Sequence, residues 1–234
     1  MNSIKLIVFD VAGTIVEDHG EVTDVFRASL ETHEIAFAEA ELKEWKGATK
    51  RDVIRHFVER QERDKGLQEA KTESAYAEFR RRLEKHYREH GARTIDGAAT
   101  TFDWLRQRGI KIATTTGFYR ELNDLILEQA GIRKLFAATI SSSDVPIGRP
   151  APFMIFRAME ASGVPSVHEV INVGDTPLDL QAGTNAGVWG VVGVLTGLHG
   201  KERLQREPHT HILPSVADIP EWLEQKCPAG FREG

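Results

Sequence analysis

Asp10 closes a short apolar run, Ile4 to Phe9, and is followed at once by Val11-Ala12-Gly13-Thr14. A carboxylate at the end of such a run is a candidate nucleophile or metal ligand. The Gly-Thr turn after it makes Gly13 and Thr14 candidate anion donors through their backbone amides. Taken alone, Asp10 reads equally well as a turn or helix cap. Gly174-Asp175-Thr176-Pro177-Leu178-Asp179 follows a second apolar run and carries two acids four apart, as a hard cation such as Mg²⁺ requires when carboxylates must gather around it. The alternative there is Asp179 capping the helix that runs toward Gly183. Thr116-Gly117, after the run 110–116, and Gly148-Arg149-Pro150, before a helical stretch, add a hydroxyl and a guanidinium at comparable places.

Groups so far apart in sequence meet only if the elements beneath them bring their ends together. The runs ending at Phe9, Thr116, Ser141, Gly174 and Val194 are rich in β-formers and alternate with helical patterns. That alternation predicts a doubly wound α/β fold, a parallel sheet covered by helices on both faces. In such sheets ligands bind beyond the carboxyl ends of the strands, where Asp10, Thr116, Ser141 to Ser143 and Asp175 fall. Between about residues 20 and 95 the texture changes: charges are dense, strand-like runs are missing, and Val25, Leu30, Phe57, Phe79 and Leu83 mark amphipathic helices. We expect a catalytic α/β core of residues 1–18 and 96–234 and an inserted α-helical cap of residues 19–95. A helix should end at Arg108-Gly109, and residues from about Pro228 read as a tail.

Composition bounds the rest. The chain has 234 residues, 41% of them hydrophobic, enough for a sizeable core. Its lone cysteine, Cys227, forms no intrachain disulfide, which agrees with a reducing compartment. The start, MNSIKLIVFD, has no long apolar segment or small-residue cleavage site, so the expected location is cytoplasmic, with no membrane contact. A net charge of -5 offers no general attraction to nucleic acid. Oligomeric state is open, a homodimer among the alternatives. His56 reads as a surface or packed histidine, and His199, His209 and His211 match no zinc spacing and read as loop residues. Trp45 and Trp104 read as core or interface aromatics.

The four segments around Asp10, Thr116, Arg149 and Asp175, in this order and spacing, resemble the four motifs of the haloacid dehalogenase superfamily, a resemblance that spans the whole chain. It implies a Rossmannoid core with a cap, and a Mg²⁺-dependent hydrolase working through an aspartyl-phosphate. By the same resemblance Asp10 is the nucleophile, Thr116 bonds a phosphoryl oxygen, and Gly13, Thr14 and Gly117 line the phosphate site. Arg149 takes the charge-neutralising place usually held by lysine. Asp10, the carbonyl of Ala12, Asp175 and Asp179 would hold the metal, Asp179 as ligand or as orienter.

Ala12 stands where most phosphatases of this superfamily carry a second aspartate as general acid, help commonly worth about 10² to 10⁴ in rate. Asp-x-Ala-Gly-Thr, Thr-Thr-Gly-Phe-Tyr-Arg at 115–120 and Gly-Arg-Pro-x-Pro at 148–152 resemble the phosphonoacetaldehyde hydrolase branch. There a cap lysine forms a Schiff base and makes the leaving carbon an enamine. Lys50 falls at that lysine's place, and Lys46 and Arg51 are cations that could lower its pKa. Three positions depart from the branch, which usually has methionine at Lys46, histidine at Val53 and tyrosine at Phe118. The departures point to a relative with a different small phosphonate. A phosphomonoesterase similar to phosphoglycolate phosphatase, a haloalkanoate dehalogenase, and a silent binding protein on the same scaffold are the other readings.

Overall fold

The computed structural model describes residues 4–226. Cys227 and the tail from Pro228 lie outside them. A six-stranded parallel sheet runs in the order β3-β2-β1-β4-β5-β6, built from β1 (Leu6–Phe9), β2 (Lys111–Thr116), β3 (Ala138–Ser141), β4 (Val170–Gly174), β5 (Gly190–Val194) and β6 (His211–Leu213). The first strand in sequence is central, and the chain winds outward from it in both directions. The doubly wound reading therefore holds.

The strands are short and, in β1, β3, β4 and β5, buried throughout because helices cover both faces. Each residue of β1 is buried. On one face Phe9 meets Phe102 of α5 (Ala98–Gln107) edge to face, centroids 5.5 Å apart. On the other, Leu6 and Val8 join Met154, Ile155 and Ala158 of α7 (Phe153–Ser162). Gly109, at φ +69° just past α5, makes the expected stop.

Between β1 and α5 the chain folds into α1 (Glu21–Thr32), α2 (Glu39–Glu44), α3 (Lys50–Glu59) and α4 (Lys65–His90). These form the helical cap. Asp64 starts α4 by accepting the Leu67 amide at 2.9 Å. The rings of Phe26 and Phe79 pack at a tilt, centroids 4.2 Å apart, in the same buried cluster as Leu30, Phe57 and Leu83. Two connectors join cap to core and pair with each other: Glu17 donates to the Arg93 carbonyl at 2.9 Å and Ile95 to the Ile15 carbonyl at 3.0 Å.

β6 is a strand that the apolar-run argument missed. His211 belongs to it, which corrects the loop reading of that residue. Three residues with a histidine among them and a proline after are too few for alternation to show. What selects the strand is pairing to the edge of β5, Val192 to His211 and Val194 to Leu213.

Candidate active site

β1, β2 and β4 lie side by side in register, Phe9 opposite both Thr114 and Val173, so whatever leaves their carboxyl ends shares one edge of the sheet. Asp10, Thr116 and Asp175 meet there. Arg149 arrives from the loop before α7 and is buried. Its Nη2 donates to Asp10 Oδ1 at 2.7 Å, and to the Thr115 carbonyl and hydroxyl oxygens at 2.7 and 2.9 Å. Its Nη1 lies 2.9 Å from Asp179 Oδ1. One guanidinium thus spans two of the three carboxylates, using the planar fork that a lysine lacks.

Oxygens of Asp10, Asp175 and Asp179 all lie within 4.8 Å of one another. Burial pushes both Asp175 and Asp179 upward from the ordinary carboxylate pKa, and their acidic neighbours add to it. Lys46 offsets part of the rise at Asp175 and Arg149 part of that at Asp179. Asp175 Oδ1 accepts the Thr14 hydroxyl at 2.9 Å, whereas Oδ2 is buried with no hydrogen-bond partner. A cluster of hard carboxylate oxygens with an unpartnered oxygen in it fits a divalent cation such as Mg²⁺ better than a soft one.

Asp179 has two jobs. Its Oδ2 accepts from the Thr176 amide at 3.0 Å and the Thr176 hydroxyl at 2.6 Å, closing a capping box on α8 (Pro177–Ala186), while Oδ1 faces Arg149. Asp179 therefore caps the helix and also belongs to the buried acidic cluster. Gly13 and Thr14 have partners inside their own loop: the Gly13 amide donates to Val16 and the Thr14 amide to Val11, at 2.7 and 3.3 Å. With its hydroxyl on Asp175, Thr14 orients an acid. Gly13 sits at φ +86°, and a β-carbon there would come within 2.7 Å of Asp175 Oδ2. Thr116 accepts the Phe118 amide at 3.2 Å, which leaves its hydroxyl hydrogen free to donate.

The cap closes this edge. Its loop from Lys46 to Lys50 comes closest to the core at two core glycines, Gly117 and Gly148. A β-carbon on Gly117 would collide with the Ala48 carbonyl oxygen, and one on Gly148 with the Thr49 hydroxyl. Gly117 therefore serves close approach of the cap. Lys50, first residue of α3, is buried, with its ammonium 4.8 Å from the Phe118 ring centroid and 6.0 Å from that of Phe26. It shares the lining of a cavity of about 20 Å³ with Asp10, Ala12, Thr116 and Gly117. Burial brings its pKa down to about 8; Asp10 resists the fall, and Arg149 and Lys46 assist it. Arg51 is instead engaged by Glu69 and Glu73.

Sequence reasoning missed Asp18 and Phe26. Asp18 is a connector residue whose carboxylate meets Lys46 at 2.7 Å. No spacing rule could have joined them. Among the histidines, His56 packs on Trp45, centroids 4.5 Å apart, and bonds Glu41 at 2.8 Å, as a packed histidine should. Trp45 and Trp104 are partly buried against the core. His199 is in a loop as expected but is buried, and His209 lies in a loop. Among the described residues no helix is long and apolar enough to cross a membrane.

Comparison with known proteins agrees with this geometry. Residues 4–187 match the model of the haloacid dehalogenase-like hydrolases. A phosphonoacetaldehyde hydrolase from Bacteroides fragilis is 42% identical over 125 residues, which cover 52% of this chain and about half (46%) of that relative's length. One from Bacillus cereus is 34% identical over 207 residues, covering 83% of this chain and 76% of its own. A phosphonoacetaldehyde hydrolase like protein from Oleispira antarctica superposes with a TM-score of 0.79 at 21% identity, over 100% of this chain and 96% of the other.

Proposed function

This chain belongs to the haloacid dehalogenase-like hydrolases, close to their phosphonoacetaldehyde hydrolase branch, and we propose on that footing that it hydrolyses the carbon to phosphorus bond of a small carbonyl-bearing phosphonate. The observation that carries the reading is Lys50, buried in the same cavity as Asp10 and with its amine pKa near 8, against about 10.4 for a free lysine. An amine becomes a nucleophile only when neutral, and burial favours that form. The reading takes residues 19–95 as the cap and the remainder as the catalytic core.

In the proposed reaction the Lys50 amine adds to the substrate carbonyl and water leaves, giving a protonated imine. Asp10 attacks phosphorus; the carbon to phosphorus electron pair moves into the imine, leaving an enamine on Lys50 and a phosphoryl group on Asp10. Water then cleaves the aspartyl-phosphate, while the enamine takes a proton at carbon and hydrolyses to the aldehyde product and free Lys50. Asp10, Asp175, Asp179 and the carbonyl of Ala12 would hold Mg²⁺, which supplies the positive charge an anionic nucleophile needs to approach an anionic phosphorus group. Arg149 adds fixed positive charge beside Asp10 and holds its carboxylate in place. The Thr116 hydroxyl donates to a phosphoryl oxygen. Ala12 is consistent with this route, because an enamine leaving group requires no acid at that position.

Phosphonoacetaldehyde with borohydride tests it. The expected result is a covalent adduct on Lys50, lost in Lys50→Arg, together with Mg²⁺-dependent phosphate release. Efficient turnover of phosphate esters that survives Lys50→Ala would replace this reading with a phosphomonoesterase.

A further inference from the structure

The cap delivers a second lysine to the same place. Lys46 Nζ lies 2.7 Å from Asp18 Oδ2 and 3.9 Å from Asp175 Oδ2, with the Lys46 and Asp18 side chains 11% and 2% exposed. Asp175 Oδ2 is the carboxylate oxygen that has no hydrogen-bond partner. Lys46 also lines the cavity shared by Asp10 and Lys50. It leads into the loop that seats on the core, where a β-carbon on Gly47 would come within 2.6 Å of the Thr176 hydroxyl. Asp18 belongs to the connector, Lys46 to the cap and Asp175 to the core. The ammonium can therefore stay beside Asp175 only while that loop is seated.

We propose that Lys46 is a cap-borne positioning residue that competes with the divalent cation for Asp175, so that the cap seats fully over the cation only when a phosphoryl or phosphonyl anion lies between the two. The inference rests on the metal reading given above. Like charges brought together in a water-poor site repel, and an anion between them turns repulsion into attraction. Cap closure and metal binding are then linked, each opposing the other until substrate is present. Asp18 tempers the effect by pairing with the ammonium at 2.7 Å. A methionine at position 46 would place no such condition on closure.

The test is Mg²⁺ binding by titration calorimetry on the whole protein, with inorganic phosphate as the anion probe. Lys46→Met should bind Mg²⁺ about tenfold more tightly than the unmodified protein, the scale expected for a unit charge about 4 Å from a ligand oxygen. Asp18→Asn should bind it more weakly, since it frees the ammonium to oppose the cation. Opposite signs from the two halves of one ion pair are what a merely structural role does not give. Saturating phosphate should narrow the gap between Lys46→Met and the unmodified protein. Lys43→Met, on the exposed side of α2, should change nothing. Should Lys46→Met fold poorly, Lys46→Gln asks the same question. Equal or weaker Mg²⁺ binding on removing the charge, or a gap that phosphate leaves untouched, overturns the proposal while the metal site stands. Absence of Mg²⁺ binding in the unmodified protein, with or without phosphate, removes both.

Discussion

Burial strips water from the Lys50 ammonium, and together with Arg149 and Lys46 it outweighs the opposing pull of Asp10 and Asp18, so the amine loses its proton near pH 8. The rate of borohydride-trapped adduct formation should rise as pH is raised through about 8 and level off above it. A rate still climbing toward the free-lysine value, about 10.4, would show that Lys50 is not the reacting amine. Arg149 makes a second case. It stands between the buried acids Asp10 and Asp179, and removing one partner of a buried charge pair commonly costs about 3–5 kcal/mol. In Arg149→Met the carboxyl of Asp179, which burial already pushes above its unfolded pKa, would rise further because Arg149 no longer opposes the shift. The loss should then be small near pH 3, where Asp179 is mostly protonated in both states, and grow as pH rises toward 8. Urea unfolding at both pH values checks the sign, and added Mg²⁺ should recover part of the loss at pH 8. Asp10, Thr116, Arg149, Asp175 and Asp179 were legible because each follows a recognisable run or turn. The Asp18–Lys46 pair was not, because it joins a connector to a cap loop through space alone.

Elements were legible to the degree that burial left a mark in their composition. The runs of β1, β4 and β5 are largely apolar, and that of β2 is rich in buried threonine, because both of their faces are covered; the helical cap stood out by its lack of such runs. β6 escaped because its pairing to β5 is set by the sheet edge. The seating of the cap loop is an element-scale property of a different kind, decided by the lack of a side chain at Gly117 and Gly148. A methyl group on Gly117 would collide with the Ala48 carbonyl oxygen, which is backbone and cannot swing aside. Gly117→Ala should therefore keep the core and cap folded while holding them apart. Displacing Lys50 by even about 1 Å is enough to cost on the order of 10²-fold in turnover. Near-unchanged thermal unfolding with phosphonate turnover reduced to that extent is the expected pair of results. Unchanged turnover would mean that the cap need not seat as it does here.

At the scale of the molecule, the residues that line the cavity come from a core and a cap joined by two connectors. A doubly wound core with a helical insertion could be read from the order of elements. How tightly the two close could not, since it depends on surfaces that meet only after each has folded. A cavity of about 20 Å³ holds little more than a single water molecule, so substrate must enter with the cap raised. The connectors suggest where rotation occurs: Val16 pairs with Thr94 in an antiparallel bridge, flanked by the Glu17 to Arg93 and Ile95 to Ile15 hydrogen bonds. That bridge ties the two crossing points together, so the cap can tilt about it without breaking it. Hydrogen exchange should separate the moving parts from the fixed one. Peptides covering residues 46–50 and 116–120 should gain protection when Mg²⁺ and inorganic phosphate are added together, because the loop then seats on Gly117 and Gly148. Peptides covering 14–17 and 93–95 should stay slow to exchange throughout. If protection instead rises in the connector peptides, the bridge is opening with each cycle, and closure would be a refolding of the connectors in place of a tilt about them.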